Sequence, residues 1–259
     1  MKIVHTTDWH PDASTAGYAR FDDVAQAVQS SVDHACKLSG QGERVGYLFT
    51  GDLLTNDPSL DVMVRCTCLA QRAGRQLSES GVPSWWMPGN HDVFEDGLGT
   101  TAVDTLEGDY ARVIKRPSVV EVEQGKVMLL LPFTPVSHSY DPKAWLESLL
   151  NDGAGGDPHA SMTSAFDAAG LAKRSKVVLV AGHLMLEGIG PGSETHDMPR
   201  GRDVFFPVDL VRRLWPDALM ANGHYHRQQV HNGVHVPGSL AVFTRGELGN
   251  RPGYLVHTV

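Results

Sequence analysis

Two rhythms of apolar residues alternate along the first third of the chain. Short, nearly continuous apolar runs rich in β-branched residues read as buried strands: KIVHTT from Lys2, RVGYLFT from Arg44 and VPSWWM from Val82. Between them the spacing lengthens to three and four. Residues 18–38 carry Phe21, Val24, Ala25, Val28, Val32, Ala35 and Leu38 on one face, and residues 60–79 carry Leu60, Met63, Val64, Leu69, Ala73 and Leu77, so each stretch predicts an amphipathic helix. Strands alternating with helices predict right-handed βαβ crossovers and a largely parallel sheet.

The later pattern differs. KVMLLLPF from Lys126, KVVLVAG from Lys176 and DALMANG from Asp217 predict further strands. Residues 112–133 read as consecutive strands joined by the turn EQGK, and residues 227–258 as short strands broken by Gly and Pro. A helix is expected at 160–174, after the loop NDGAGGDPH, and a long loop at 187–203. Two mixed β-sheets packed as a sandwich and flanked by helices, an α/β fold, accommodate all of these. No composition shift marks a boundary, so residues 1–259 are expected to form one catalytic domain without a separate cap.

The polar residues that end these strands form a set. The first strand runs into Asp8 and His10, and YLFTGD ends in Asp52. WWMPGNHD supplies Asn90, His91 and Asp92, VVLVAGH supplies His183, and ALMANGHYH supplies His224 and His226. In an open α/β sheet, ligands bind beyond the carboxyl ends of strands, so separate junctions can converge. Gly51, Gly89, Gly182 and Gly223 precede four of these junctions, where a sharp turn or a close approach of backbone is expected. Imidazole and carboxylate without thiolate suit Mn²⁺, Fe²⁺ or Zn²⁺ better than Mg²⁺, and Mn²⁺ is taken first. The set exceeds one ion's needs. It suits two ions sharing a carboxylate, an arrangement that activates water and stabilises the attacking and leaving oxygens at phosphorus.

D-x-H, G-D, G-N-H-D, G-H and G-H-x-H, in this order and spread over nearly the whole chain, resemble the motifs of the calcineurin-like metallophosphoesterases. The resemblance implies that Asp8, His10 and His226 hold a first metal and that Asp52 bridges to a second. Asn90, His183 and His224 would complete the coordination of the second metal. A metal-bridging hydroxide would be the nucleophile. His91 would sit beside the scissile phosphate and assist the leaving group, with Asp92 orienting His91 or its loop. Within the family, VHTTDWH and the later GHYHRQQV and VPGSLAVFTRGE are similar to the SbcD-type nucleases, which implies DNA as substrate and an SMC-like ATPase as partner. Thr55 stands in GDLLTND where some of these nucleases carry a histidine, and no ATPase-docking segment is recognised. Cyclic nucleotides, other small phosphodiesters or phosphomonoesters are the alternative substrates. An inactive protein-binding scaffold would have eroded ligands, whereas every ligand position here is filled.

Charge and cysteine content narrow the setting. A formal net charge of −8 argues against avid non-specific binding of nucleic acid through a basic face. Cys36, Cys66 and Cys68 form neither a disulfide framework nor a zinc knuckle, and are expected on helices as small apolar residues in a reducing cytoplasm. No leader and no membrane-spanning run is recognised, and a homodimer is left open. His5 is read as a packed histidine, Trp9 as an aromatic packed beneath the first loop, and His34 as a boundary residue. His138, His159, His231, His235 and His257 are read as structural. In the long loop, Arg200 and Arg202 are candidate phosphate contacts, and His196 is a further candidate there.

Overall fold

The computed structural model describes residues 1–55, 58–94, 99–108, 110–133, 141–149, 175–189 and 204–259. The predicted helix at 160–174, most of the loop at 187–203 with His196, Arg200 and Arg202, and also His138 and His159 lie outside these residues.

Two mixed sheets carry the fold. The first contains β1 (Lys2–Thr6), β4 (Val45–Phe49), β5 (Ser84–Trp86), β6 (Arg112–Val113) and β13 (Leu255–Thr258), in the order β13-β1-β4-β5-β6. Only β13 runs antiparallel to its neighbour; the rest are parallel. The second contains β7 (Ser118–Glu123), β8 (Lys126–Leu131), β9 (Lys176–Gly182), β10 (Leu219–Asn222), β11 (Gln229–His231) and β12 (Val234–Val236), in the order β11-β12-β10-β9-β8-β7. Its β8-β9-β10-β12 centre is parallel, and hairpins flank it.

Both sheets are covered on both faces, which is why their central strands read as unbroken apolar runs. Ile3, Leu48 and Trp85 face inward against Met128, Leu130, Leu179 and Ala181 of the second sheet. Val4, Tyr47, Phe49 and Trp86 face outward, under α1 (Phe21–Gly40) and α2 (Leu60–Glu79). Val24, Val28, Val32, Ala35 and Leu38 form the buried stripe of α1, and Cys66, Ala70, Ala73 and Leu77 that of α2. On the far side, α3 (Pro142–Ser148) and α4 (Val208–Leu214) set Leu146, Leu210 and Val211 against Val127, Leu129 and Val180.

The second helix spans its predicted residues, but the first begins three residues later than expected. Ala16 and Gly17 both adopt positive φ, 52° and 83°, and turn the chain into a short hairpin of β2 (Ser14–Thr15) and β3 (Tyr18–Ala19). Two successive left-handed residues are the geometry of a type I′ hairpin turn, so Tyr18 pairs as a strand rather than opening the helix. All three cysteines lie on helices and are free, but only Cys66 is buried; Cys68 is exposed. Trp9 is fully buried, edge-on to Phe49 and Trp86, with its Nε1–H donated to Thr6 Oγ1 at 3.1 Å. No helix among the described residues is long and apolar enough to cross a membrane.

Candidate metal centre

β1, β4, β5, β9 and β10 deliver their polar residues to one end of the sandwich. Asp8, His10 and His226 form one group, and Asp52, His183 and His224 a second, each with a ligand atom from every member within 4.8 Å of the others. Asp52 lies between them: its Oδ2 is 3.2 Å from His183 Nε2 and 3.8 Å from His10 Nε2. Asn90 joins the second group, its Oδ1 lying 3.0 Å from both His183 Nε2 and His224 Nδ1. The ring of His91 stands 5.4 Å from that of His10, half-buried, while its backbone N–H donates to Asp52 Oδ1 at 3.0 Å. Every ligand position named from the sequence converges here; the three loop candidates fall outside the described residues.

The backbone at these ligands is unusual. Asp8, His10, Asp52 and His224 all have positive φ, between 42° and 75°. Left-handed conformations are costly for residues with a Cβ and tend to accumulate at functional sites. Only Gly51 among the four junction glycines shares this conformation; the others serve close approach. A Cβ on Gly89 would stand 2.1 Å from Asp52 Oδ1, and one on Gly223 would stand 2.2 Å from Thr7 Oγ1. The expected sharp turn therefore sits largely in the polar residues themselves.

Hydrogen bonds aim the side chains. Nδ1–H of His10 donates to Leu54 O and Nδ1–H of His183 to Thr50 O, both at 2.6 Å, which leaves each Nε2 facing the site. The His226 Nδ1–H is directed at Glu247 Oε1, 3.1 Å away. Asp92 does not orient the His91 ring; its buried carboxylate accepts the N–H groups of Asp52, Leu53, Leu54 and Gly89 at 2.8–3.2 Å. It buckles the β4 and β5 junctions together. Burial and the neighbouring Asp52 push its pKa up, yet four N–H donors leave a carboxyl proton no acceptor, so the geometry favours the ionised form. Asn222, which sequence reasoning placed in the strand DALMANG without giving it a role, ties the β9 and β10 junctions. Its amide accepts from Leu184 N at 3.0 Å and donates to Leu184 O and Gly223 O at 2.8 Å.

The core of the site is buried and charged. Burial holds His10 and His224 neutral, with pKa values pulled down to about 3. Asp8 is pushed up to about 6 by burial, opposed by His183 and reinforced by Asp52. Burial also disfavours charge on His183, but the Asp52 carboxylate, Asp8 and the Thr50 carbonyl together outweigh it and raise that imidazole to about 9. Asp8 Oδ1, His10 Nε2 and His224 Nε2 are buried with no hydrogen-bond partner. An unsatisfied buried polar atom costs roughly 1–3 kcal/mol, and three in one place fit a cation far better than a packed core. Imidazole and carboxylate donors gathered in two buried groups constitute a divalent-metal donor set, so these residues fit two such ions.

Residues 1–248 match the calcineurin-like phosphoesterase family. The chain belongs to it. It is a metal-dependent phosphoesterase by family, and the two groups of donors are where the family's ions can be held. Among solved structures, TT1561 of Thermus thermophilus is similar at 14% identity, covering 92% of this chain and 89% of that one, with a TM-score of 0.47. A provisionally assigned 5′-nucleotidase from Staphylococcus aureus is similar at 13% identity over 92% of this chain, with a TM-score of 0.51. This chain spans about half of that protein, 48% of its length.

Proposed function

We propose that this phosphoesterase is a dinuclear phosphodiesterase, with Asp8, His10 and His226 holding one ion, Asn90, His183 and His224 the other, and Asp52 shared. The observation that carries this reading is the position of Asp52 Oδ2, 3.2 Å from one group and 3.8 Å from the other, beside buried donors that lack partners. Two divalent cations bound there supply an activated water and neutralise charge at phosphorus. The chain's own residues do the rest. Asp52 and Asp8 keep the site anionic, so the cations enter a pocket of complementary charge. The three Nδ1–H bonds keep the ligand nitrogens aimed inward. His91 stands at the more exposed side, where its ring can place a proton on the departing oxygen. Mn²⁺ is the ion to try first, with Fe²⁺ and Zn²⁺ next.

For substrate we take DNA, as the SbcD-type resemblance of VHTTDWH and GHYHRQQV suggests. The net charge of −8 favours a second reading, in which the same site hydrolyses small phosphodiesters or phosphomonoesters; the nucleotidase assignment of the Staphylococcus aureus protein is of that class. Turnover of a DNA duplex end, compared with 2′,3′- and 3′,5′-cyclic nucleotides and a nucleoside monophosphate, decides between them. Mn²⁺-dependent hydrolysis of bis-p-nitrophenyl phosphate tests the shared chemistry. His91→Ala should lower turnover of the DNA or cyclic-nucleotide substrate, whose alkoxide leaving group needs a proton, by roughly 10²–10⁴-fold, the usual worth of a general acid, while two ions remain bound. Full activity in that variant removes the leaving-group role from His91.

A further inference from the structure

Among the ligand histidines whose Nδ1–H bonds are described above, His226 alone is backed by a carboxylate. His10 and His183 donate to neutral carbonyls, whereas His226 faces Glu247, which is 3% exposed and 21 residues away along the chain. Glu247 is itself held in place. Its Oε1 also accepts from Thr244 Oγ1 at 3.1 Å, and its Oε2 accepts from Phe243 N at 2.8 Å. The Phe243 ring packs 5.6 Å from both His10 and His226, so the same short segment walls the first group of ligands. The His226 backbone is braced from the same side by Ser239 N, which donates to His226 O at 3.1 Å. Gly238 allows that approach, since a Cβ there would stand 2.8 Å from His226 O.

We propose that Glu247 is a positioning residue for the first metal: its carboxylate fixes the proton of His226 on Nδ1 and so leaves Nε2 as the ligand atom. This rests on the dinuclear reading above. It also makes the two subsites unequal. The first is served by Asp8, the shared Asp52 and, through His226, Glu247, while the second has, among the described residues, the shared carboxylate alone. A carboxylate behind a ligating imidazole raises its basicity, and losing such a partner typically weakens metal affinity roughly 10–100-fold.

A simpler role competes: Thr244 and Glu247 stand three residues apart around the 3₁₀ turn Arg245–Glu247, so Glu247 could serve the turn alone. Glu247→Gln separates the two. A glutamine oxygen can still accept from Phe243 N and keep the turn. Its NH₂ then faces His226 Nδ1 and drives the imidazole proton to Nε2, where it blocks the ion. In calorimetric Mn²⁺ titrations of metal-free protein, wild type should take up two ions. Glu247→Gln should weaken one step by roughly 10–100-fold and leave the other unchanged. His183→Gln, which removes the opposite step, identifies which one is affected. Two ions bound equally tightly in wild type and Glu247→Gln overturn the role of Glu247 and leave the dinuclear reading standing. Wild type that binds fewer than two ions overturns both. Ring ¹⁵N shifts of His226 in metal-free wild type provide a check that needs no folded Glu247 variant. With the signal assigned by His226→Gln, a ring carrying a proton on Nδ1 is expected, and one protonated on Nε2 alone refutes the proposal.

Discussion

Replacing His257 with Gln should flatten the acid limb of this protein's stability curve. His5 on β1 and His257 on β13 are paired across the sheet edge, His5 Nδ1 lying 3.1 Å from His257 Nε2, and His5 Nε2 lies 2.8 Å from Thr50 Oγ1. His235, on β12 of the opposite sheet, approaches His257 with ring centroids 5.7 Å apart. His5 is fully buried and His257 is 5% exposed. Burial, followed by the repulsion of His235, lowers His257 to about 4, and burial with the two neighbouring imidazoles lowers His5 well below its ordinary range. The folded state therefore rejects protons that the unfolded chain accepts at about pH 6.5. Stability is complete above that pH and is lost as pH falls toward the folded values. A drop from 6.5 to about 4 at His257 corresponds to about 3 kcal/mol by pH 4, at ~1.4 kcal/mol per tenfold. That is a large share of the roughly 5–15 kcal/mol that holds a domain together. Urea unfolding of the metal-free protein, followed by circular dichroism from about pH 7.5 to about pH 4, measures it. Metal-site histidines titrate in both proteins and cancel in the difference. The wild type should lose about 3 kcal/mol more than His257→Gln across this range. Parallel curves would refute the reasoning, because they would mean that the buried imidazoles carry no penalty for charging.

Asp92→Asn leaves one oxygen for four backbone donors and points an NH₂ at the rest; with two N–H groups orphaned it should cost roughly 2–6 kcal/mol, read as a lower urea midpoint. A variant of unchanged midpoint would show that the buckle between the two junctions is not needed. Gly89→Ala places a Cβ 2.1 Å from Asp52 Oδ1, so it should displace the shared carboxylate and reduce Mn²⁺ content measured by mass spectrometry. Full metal occupancy there would be inconsistent with the close approach. Asp52→Asn should impair both ions together, and a variant that retains two tight ions contradicts a shared carboxylate.

Much of this site was legible from residue order. Metal-type donors after five apolar runs were enough to name Asp8, His10, Asp52, Asn90, His91, His183, His224 and His226, and the structure brings all of them together. The second helix was legible in its bounds, but not in its buried face: of the apolar residues that predicted it, Leu60 and Val64 stand exposed, and Cys66, Ala70 and Gly74 are buried beside Ala73 and Leu77. Where local turn chemistry was weak, the reading slipped. Ala16-Gly17 gave little sign of the hairpin that delays α1, and the left-handed backbone at Asp8, His10, Asp52 and His224 was not read from the sequence, although Asp and His tolerate it better than most residues. Asp92 was expected to orient His91 or its loop; it holds the loop through Gly89 N, while its other three donors come from the β4 junction.

The sequence by itself determined the donor types, their places at strand ends and the alternation of buried runs that builds two covered sheets. Those follow from side-chain chemistry and periodicity, which each segment carries alone. Only the tertiary structure decided what braces the donors. His224 N donates to Asp8 Oδ2 at 3.1 Å across 216 residues, and Glu247 stands behind His226 rather than behind any other imidazole. Such pairings depend on which strands lie side by side once both sheets close. Strand order is set by the burial of whole faces, and that is a property of the assembled sandwich rather than of any stretch within it.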